Sequence, residues 1–151
     1  MRPAARLNGN RQQVVSTLPA GQPKYRVLVV DDDAATATLL LAAAERCEVV
    51  VATDGLKAYR LLRTDNNFDA MVINPAIPGL DGMELLRYTK SENRLKRIPI
   101  VALAGENAFR SLVTGFAGGA VACLWKPTTG EMLWKTLRML FPQHAAKRKA
   151  A

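Results

Sequence analysis

The chain has 151 residues, 49% of them hydrophobic, and a net charge of +8, enough for one domain with a sizeable core and short for two. No run approaches the roughly 18 apolar residues of a membrane-spanning helix, and the N-terminus lacks the apolar block of a secretory signal, so a soluble, cytoplasmic protein is expected. The excess charge sits at the ends, on Arg2, Arg6, Arg11 and Lys24 and on Lys147, Arg148 and Lys149, while cations and acids nearly cancel between residues 25 and 146. Scattered terminal charges without a groove-reading motif argue for solvated tails and against a nucleic-acid partner.

In chain order, residues 1–24 read as a flexible basic arm, closed by Pro19-Ala-Gly-Gln-Pro23. Within it Gln12 to Leu18 carries a few apolar residues that could dock on the domain or on a neighbour, although such short polar-flanked segments are usually mobile. A β-rich run at Tyr25 to Val30 leads into Asp31-Asp32-Asp33, with Asp33 as the N-cap of a helix over Ala34 to Arg46. A strand at Glu48 to Ala52, a helix over Gly55 to Thr64 and a strand at Phe68 to Ile73 follow. Asp81, three residues before Glu84, caps a helix over Gly82 to Glu92.

The strand at Ile98 to Leu103 contains Pro99, tolerable only near its start. Phe109, Leu112, Val113 and Phe116 form the apolar stripe of a helix over Asn107 to Ala117. A strand at Val121 to Trp125 precedes a helix over Thr129 to Leu140 with Thr128 as its cap. Residues 25–141 therefore read as the domain and 142–151 as a basic tail, where His144 is expected in solvent. Cys47 and Cys123 lack metal-ligand spacing and read as reduced thiols inside apolar runs.

Five strands alternating with five helices imply an α/β, doubly wound parallel sheet covered on both faces. Ligands of such sheets collect at the carboxyl ends of the strands. The first strand ends there in three carboxylates, which need a cation or a lysine to offset them. Mg²⁺ takes one or two carboxylates and water, and Lys126, at the end of the fifth run, is the other candidate counter-charge.

Residues 25–140 resemble the receiver domains of bacterial two-component response regulators. The resemblance rests on Val27-Leu-Val-Val-Asp-Asp32, Pro78-Gly-Leu-Asp-Gly-Met-Glu-Leu-Leu86, Gly119-Ala120 and Lys126-Pro127. It implies a flavodoxin-like (CheY-like) five-stranded parallel sheet of order 2-1-3-4-5 with five helices, and a cis bond before Pro127. In that order Cys47 and Cys123 lie four strand spacings apart, about 19 Å, too far for a disulfide.

The resemblance also exposes departures. It places a phosphoacceptor aspartate four residues before Pro78, where this chain has Asn74, whose amide is not a nucleophile for phosphoryl transfer. Deamidation through a succinimide is blocked, because Pro75 supplies no backbone N–H. The hydroxyl residue expected at the end of the fourth strand is Ala104, and the aromatic switch of the fifth strand is Cys123. What remains is a degenerate pocket of Asp31, Asp32 and Lys126, for which weak Mg²⁺ binding by Asp31 and Asp32, or a direct ion pair to Lys126, is expected.

The expected function is a pseudo-receiver that is no enzyme, acting as a phosphorylation-independent interaction module. Its partner would be another signalling protein or a second copy, bound through the fourth helix, fifth strand and fifth helix. Trp125 and Trp134 are aromatic candidates for that face or for the core. Two alternatives stay open: a phosphoacceptor regulator using a non-standard aspartate such as Asp33 or Asp81, and a nucleic-acid-associated protein using its basic tails.

Overall fold

The computed structural model of the protein describes residues 5–6, 13–16, 25–77, 79, 82–105, 110, 113 and 117–141. Its strands are β1 (Ala5–Arg6), β2 (Gln13–Ser16), β3 (Tyr25–Val30), β4 (Cys47–Ala52), β5 (Ala70–Ile73), β6 (Ile100–Ala104) and β7 (Ala122–Trp125). They form one sheet of order β1-β2-β4-β3-β5-β6-β7, in which the five strands from β3 onward are parallel. Counted from Tyr25 this is the 2-1-3-4-5 order of the CheY-like fold. The described helices are α1 (Ala34–Ala43), α2 (Gly55–Thr64), α3 (Gly82–Ser91) and α4 (Gly130–Leu140).

The period-2 geometry of the strands sorts their residues onto two faces. Leu28, Val30, Val50, Ala52, Met71, Ile73, Ile100 and Ala102 pack against Ala58, Leu61 and Leu62 of α2 and Leu85 and Leu86 of α3. Val27, Val29, Val49, Val51, Val72, Val101 and Leu103 pack against Ala37 and Leu40 of α1 and Leu133, Trp134 and Leu137 of α4. Both faces are buried, which is why the strands read as continuous apolar runs. Each fully buried Val or Leu side chain contributes about 2 kcal/mol. Gly130 lets α4 lie close on α1, because a Cβ there would strike the Leu39 carbonyl.

Several boundaries differ from expectation for local reasons. Strand β6 begins at Ile100, so Pro99 stands just outside it, its carbonyl accepting from the Met71 N–H at 2.9 Å. The cap of α4 is Thr129, which accepts from the Met132 N–H, and not Thr128. Of five expected helices four are described in full. Asn107 to Ala117 falls mostly outside the described residues, as do Phe109, Leu112, Phe116, Asp81 and His144. Arg110, Val113 and Ala117 there are helical, and Val113 is exposed and not in the core.

Within the N-terminal arm, β2 runs antiparallel to β4, with Gln13 opposite Val51 and Ser16 opposite Glu48, the docking on the domain that its apolar residues left open. Strand β1 pairs with β2 in turn. The physical reason is the free edge of β4, whose backbone groups need partners. Among the described residues no helix is long and apolar enough to cross a membrane.

Candidate functional site

Strand register brings the expected residues to one edge. Val30 is opposite Ile73, Ile73 opposite Ala102, and Ala104 opposite Trp125. The residues that follow, Asp31, Asn74 and Lys126, therefore emerge together beside Ala104. Backbone bonds fix them: the Asn74 N–H donates to the Val30 carbonyl at 2.9 Å and the Lys126 N–H to the Ala104 carbonyl at 2.6 Å. The Lys126-Pro127 bond is cis.

Asp31 is the centre of the site and is 2% exposed. Its Oδ2 is 2.7 Å from Lys126 Nζ and accepts the Thr36 hydroxyl at 2.7 Å. Its Oδ1 accepts the Asp33 backbone N–H at 3.0 Å and has a long contact to the Asn74 side-chain amide at 3.5 Å. Burial alone pushes the Asp31 carboxyl up, but the hydrogen bonds from Lys126, Thr36 and the Asp33 N–H, with the charge of Lys126, outweigh it and hold the pKa below the ordinary value. Asp31 is thus an anion whose lone pairs are all engaged.

Asn74 is oriented from both ends, since its Oδ1 accepts the Ala76 N–H at 3.0 Å while its NH₂ faces Asp31. Ala104 is fully buried, and its side chain contributes no polar atom. Asp33 caps α1 through the Ala35 N–H and lies 3.6 Å from Lys126. Asp32 is exposed. Cys123 is partly buried against the α2 and α3 face, and burial pushes its thiol up. Cys47 is buried on the opposite face, its thiol pushed up to about 12 by burial and by Asp69 and Glu48. Both cysteines are free. A cleft of about 310 Å³ opens beside the site, lined by Asp33, Thr36, Leu39, Leu103, Lys126 and Thr128.

Two participants escaped the sequence reading. Thr36 looks like an ordinary helix residue; its signal is a hydroxyl in the first turn of a largely apolar helix, five residues after a strand-end acid. The second acid near Lys126 is Asp33, where Asp32 had been paired with Asp31. The two tryptophans divide: Trp134 is core, ring to ring with Tyr25 and Phe141, while Trp125 is half exposed.

The donor set fits Mg²⁺ poorly. Both Asp31 oxygens already hold donors, Asn74 offers an amide, and among the described residues no three acid, His or Cys side chains converge.

A doubly wound α/β domain with a strand-end aspartate, a strand-end lysine and a cis Lys-Pro bond defines a narrow class. The model of the response regulator receiver domain matches residues 27–138, and the chain belongs to that family. It is 31% identical over 125 residues to the two-component response regulator ARR17 of Arabidopsis thaliana, covering 74% of this chain and 82% of that protein. It is 39% identical over 107 residues to protein-glutamate methylesterase/protein-glutamine glutaminase 5 of Myxococcus xanthus (strain DK1622), covering 68% of this chain and 30% of that one. Among solved structures, the chemotaxis response regulator CheY4 of Vibrio cholerae superposes with a TM-score of 0.65 at 29% identity, over 78% of this chain and 98% of that one. The match thus spans about a third of the Myxococcus relative, and this chain carries the receiver unit of two-component signal transduction.

Proposed function

We propose that this receiver works without phosphorylation, as a pseudo-receiver whose pocket is held in one state. The observation that carries the reading is the closed charge balance: one buried carboxylate, Asp31, satisfied by Lys126, Thr36, a backbone N–H and the Asn74 amide. An aspartate at 74 would face Asp31 as a second anion and call for a metal, whereas the amide donates to it. At the end of β5, where the acceptor would stand, Asn74 offers an amide and no nucleophile, and any Mg²⁺ binding is weak. Asp33 is a helix cap and so a poor alternative acceptor.

The module is recognised by another signalling protein or a second copy through β7 and α4. Val121, Trp125, Met132 and Met139 are exposed there, Met139 at 79%, and aromatic and Met side chains are enriched in such contacts. The test is incubation of the native chain and of Asn74→Asp with acetyl phosphate and Mg²⁺, read by intact mass. The native chain stays unmodified and the variant gains one phosphoryl group. A phosphoryl group on an aspartate of the native chain would overturn the reading.

One observation favours a second reading, nucleic-acid association. Lys57, Arg60, Arg63, Arg87, Lys96 and Arg97 are exposed on α2, α3 and the segment after α3, where the acids reaching solvent among the described residues are Glu84 and, beside Arg94, Glu92. Duplex binding that falls steeply with salt and is lost in Arg60→Glu/Arg87→Glu would establish it.

A further inference from the structure

Strand β4 carries Cys-Glu-Val-Val-Val-Ala, a β-branched run with no proline and one charge. That charge, Glu48, is turned to Arg26 at 2.9 Å on the neighbouring strand β3. Nothing in β4 itself supplies the lysines, prolines or inward charges by which proteins blunt a free edge. An uncovered window of this composition pairs readily with a copy of itself.

The N-terminal residues cover it. All of β2 is in register with β4, Gln13 to Ser16 against Val51 to Glu48. Strand β1 then covers Val14 and Val15 alone. Strand length falls from 6 residues in β4 to 4 in β2 and 2 in β1, so the sheet tapers to an edge too short to template another strand. Connectivity favours the chain's own arm as the occupant. Ser16 and Tyr25 flank β4 on its two sides near Glu48 and Cys47, a gap of two strand spacings or about 10 Å. The intervening residues 17–24 can span ~26 Å. The arm therefore docks at the high effective concentration of a short tether.

We propose that β1 and β2 are an edge cap, and that β4 is a latent self-association surface whose partner is the β4 edge of a second copy. Displacing the cap leaves the outer backbone groups of Glu48 to Val51 without partners, and two copies satisfy them by antiparallel, two-fold pairing of β4 with β4. The surface lies at the opposite end of the sheet from β7, so it is independent of the docking face proposed above.

The full-length variant Val14→Pro/Val15→Pro removes two backbone donors from the cap and leaves the domain untouched. At a dilution where the variant is monomeric, hydrogen exchange at Glu48 to Val51 is expected to accelerate about tenfold or more, and at higher concentration light scattering after gel filtration is expected to show a concentration-dependent dimer where the native chain is monomeric. Unchanged exchange overturns the cap. Faster exchange in a chain that stays monomeric at every concentration overturns the self-association surface. A native chain already dimeric, and made monomeric by the substitutions, overturns the intramolecular arrangement. Should circular dichroism show the variant unfolded, the chain starting at residue 25 takes its place, since the family match begins at residue 27. A synthetic peptide of residues 10–18 must then return that shortened chain from dimer to monomer, and failure to do so overturns the proposal.

Discussion

Replacing Asn74 by Asp puts a carboxylate oxygen where the amide nitrogen now stands, 3.5 Å from Asp31 Oδ1. At an effective dielectric near 20, two unit charges at that separation repel by about 5 kcal/mol. Lys126, already 2.7 Å from Asp31, offsets roughly half of this, leaving a net destabilisation of about 2 kcal/mol. The bond to the Ala76 N–H survives the change and costs nothing. For a domain of this size the loss corresponds to ~6 °C in Tm. The new carboxyl has its folded-state pKa raised, so the deficit is full above that pKa and vanishes as pH falls below the unfolded value of about 3.9. Mg²⁺ bound between the two anions relieves the repulsion, returning about 1.4 kcal/mol at tenfold saturation, with little effect on the native chain. Urea unfolding of both proteins at neutral and acidic pH, with and without Mg²⁺, measures each quantity. Equal stability of the two chains at neutral pH without metal, or equal Mg²⁺ stabilisation of both, refutes the account of Asn74 as the residue that closes the pocket.

Two further predictions follow from the same geometry and from the thiols. Lys126→Met strands the buried Asp31 anion and is expected to cost about 2–3 kcal/mol at pH 7. In the native chain the lowered pKa of Asp31 means its stabilisation is present above the unfolded value and lost as pH falls through the folded one. Without the cation, burial dominates and the pKa rises instead, so the variant's deficit shrinks on acidification; the same deficit at pH 7 and pH 3.5 would contradict this. Cys47, buried with its thiol pushed up to about 12, is expected to resist a disulfide reagent until urea unfolds the chain, while the partly exposed Cys123 reacts slowly in the native state. Two labels on the folded protein by mass, or a disulfide between Cys47 and Cys123, would refute that assignment.

The fold was legible because each parallel strand is buried on both faces and each helix on one. Tyr25 to Val30 and Gly55 to Thr64 match their elements residue for residue, since an apolar run and a capped amphipathic stripe are local signals. Strand ends were harder. The apolar run places Phe68 and Asp69 in the third strand, yet β5 starts at Ala70, because the Arg26 backbone N–H donates to the Asp69 carboxylate and not to a strand carbonyl. Thr129 displaced Thr128 as a cap because only the former has its hydroxyl beside an orphan helix N–H.

Sequence alone determined which chemistry is present at the sheet edge: an amide at 74, a methyl at 104, a lysine at 126 and acids at 31 to 33. These follow from position in the motif and need no coordinates. Only the tertiary structure decided how the charges pair, with Lys126 on Asp31 and Asp33 while Asp32 faces solvent. It also recruited Thr36, and it placed six cations on the α2 and α3 side of a domain whose total charge nearly cancels. The arm shows the same division. Val14 and Val15 favour extended backbone, but two such residues between Gln13 and Ser16 do not make a strand by themselves. The arm's pairing depends on the outer backbone of β4, which the sequence sets 32 to 38 residues away (Ser16 to Glu48, Gln13 to Val51) and which becomes an edge only once the whole sheet has assembled.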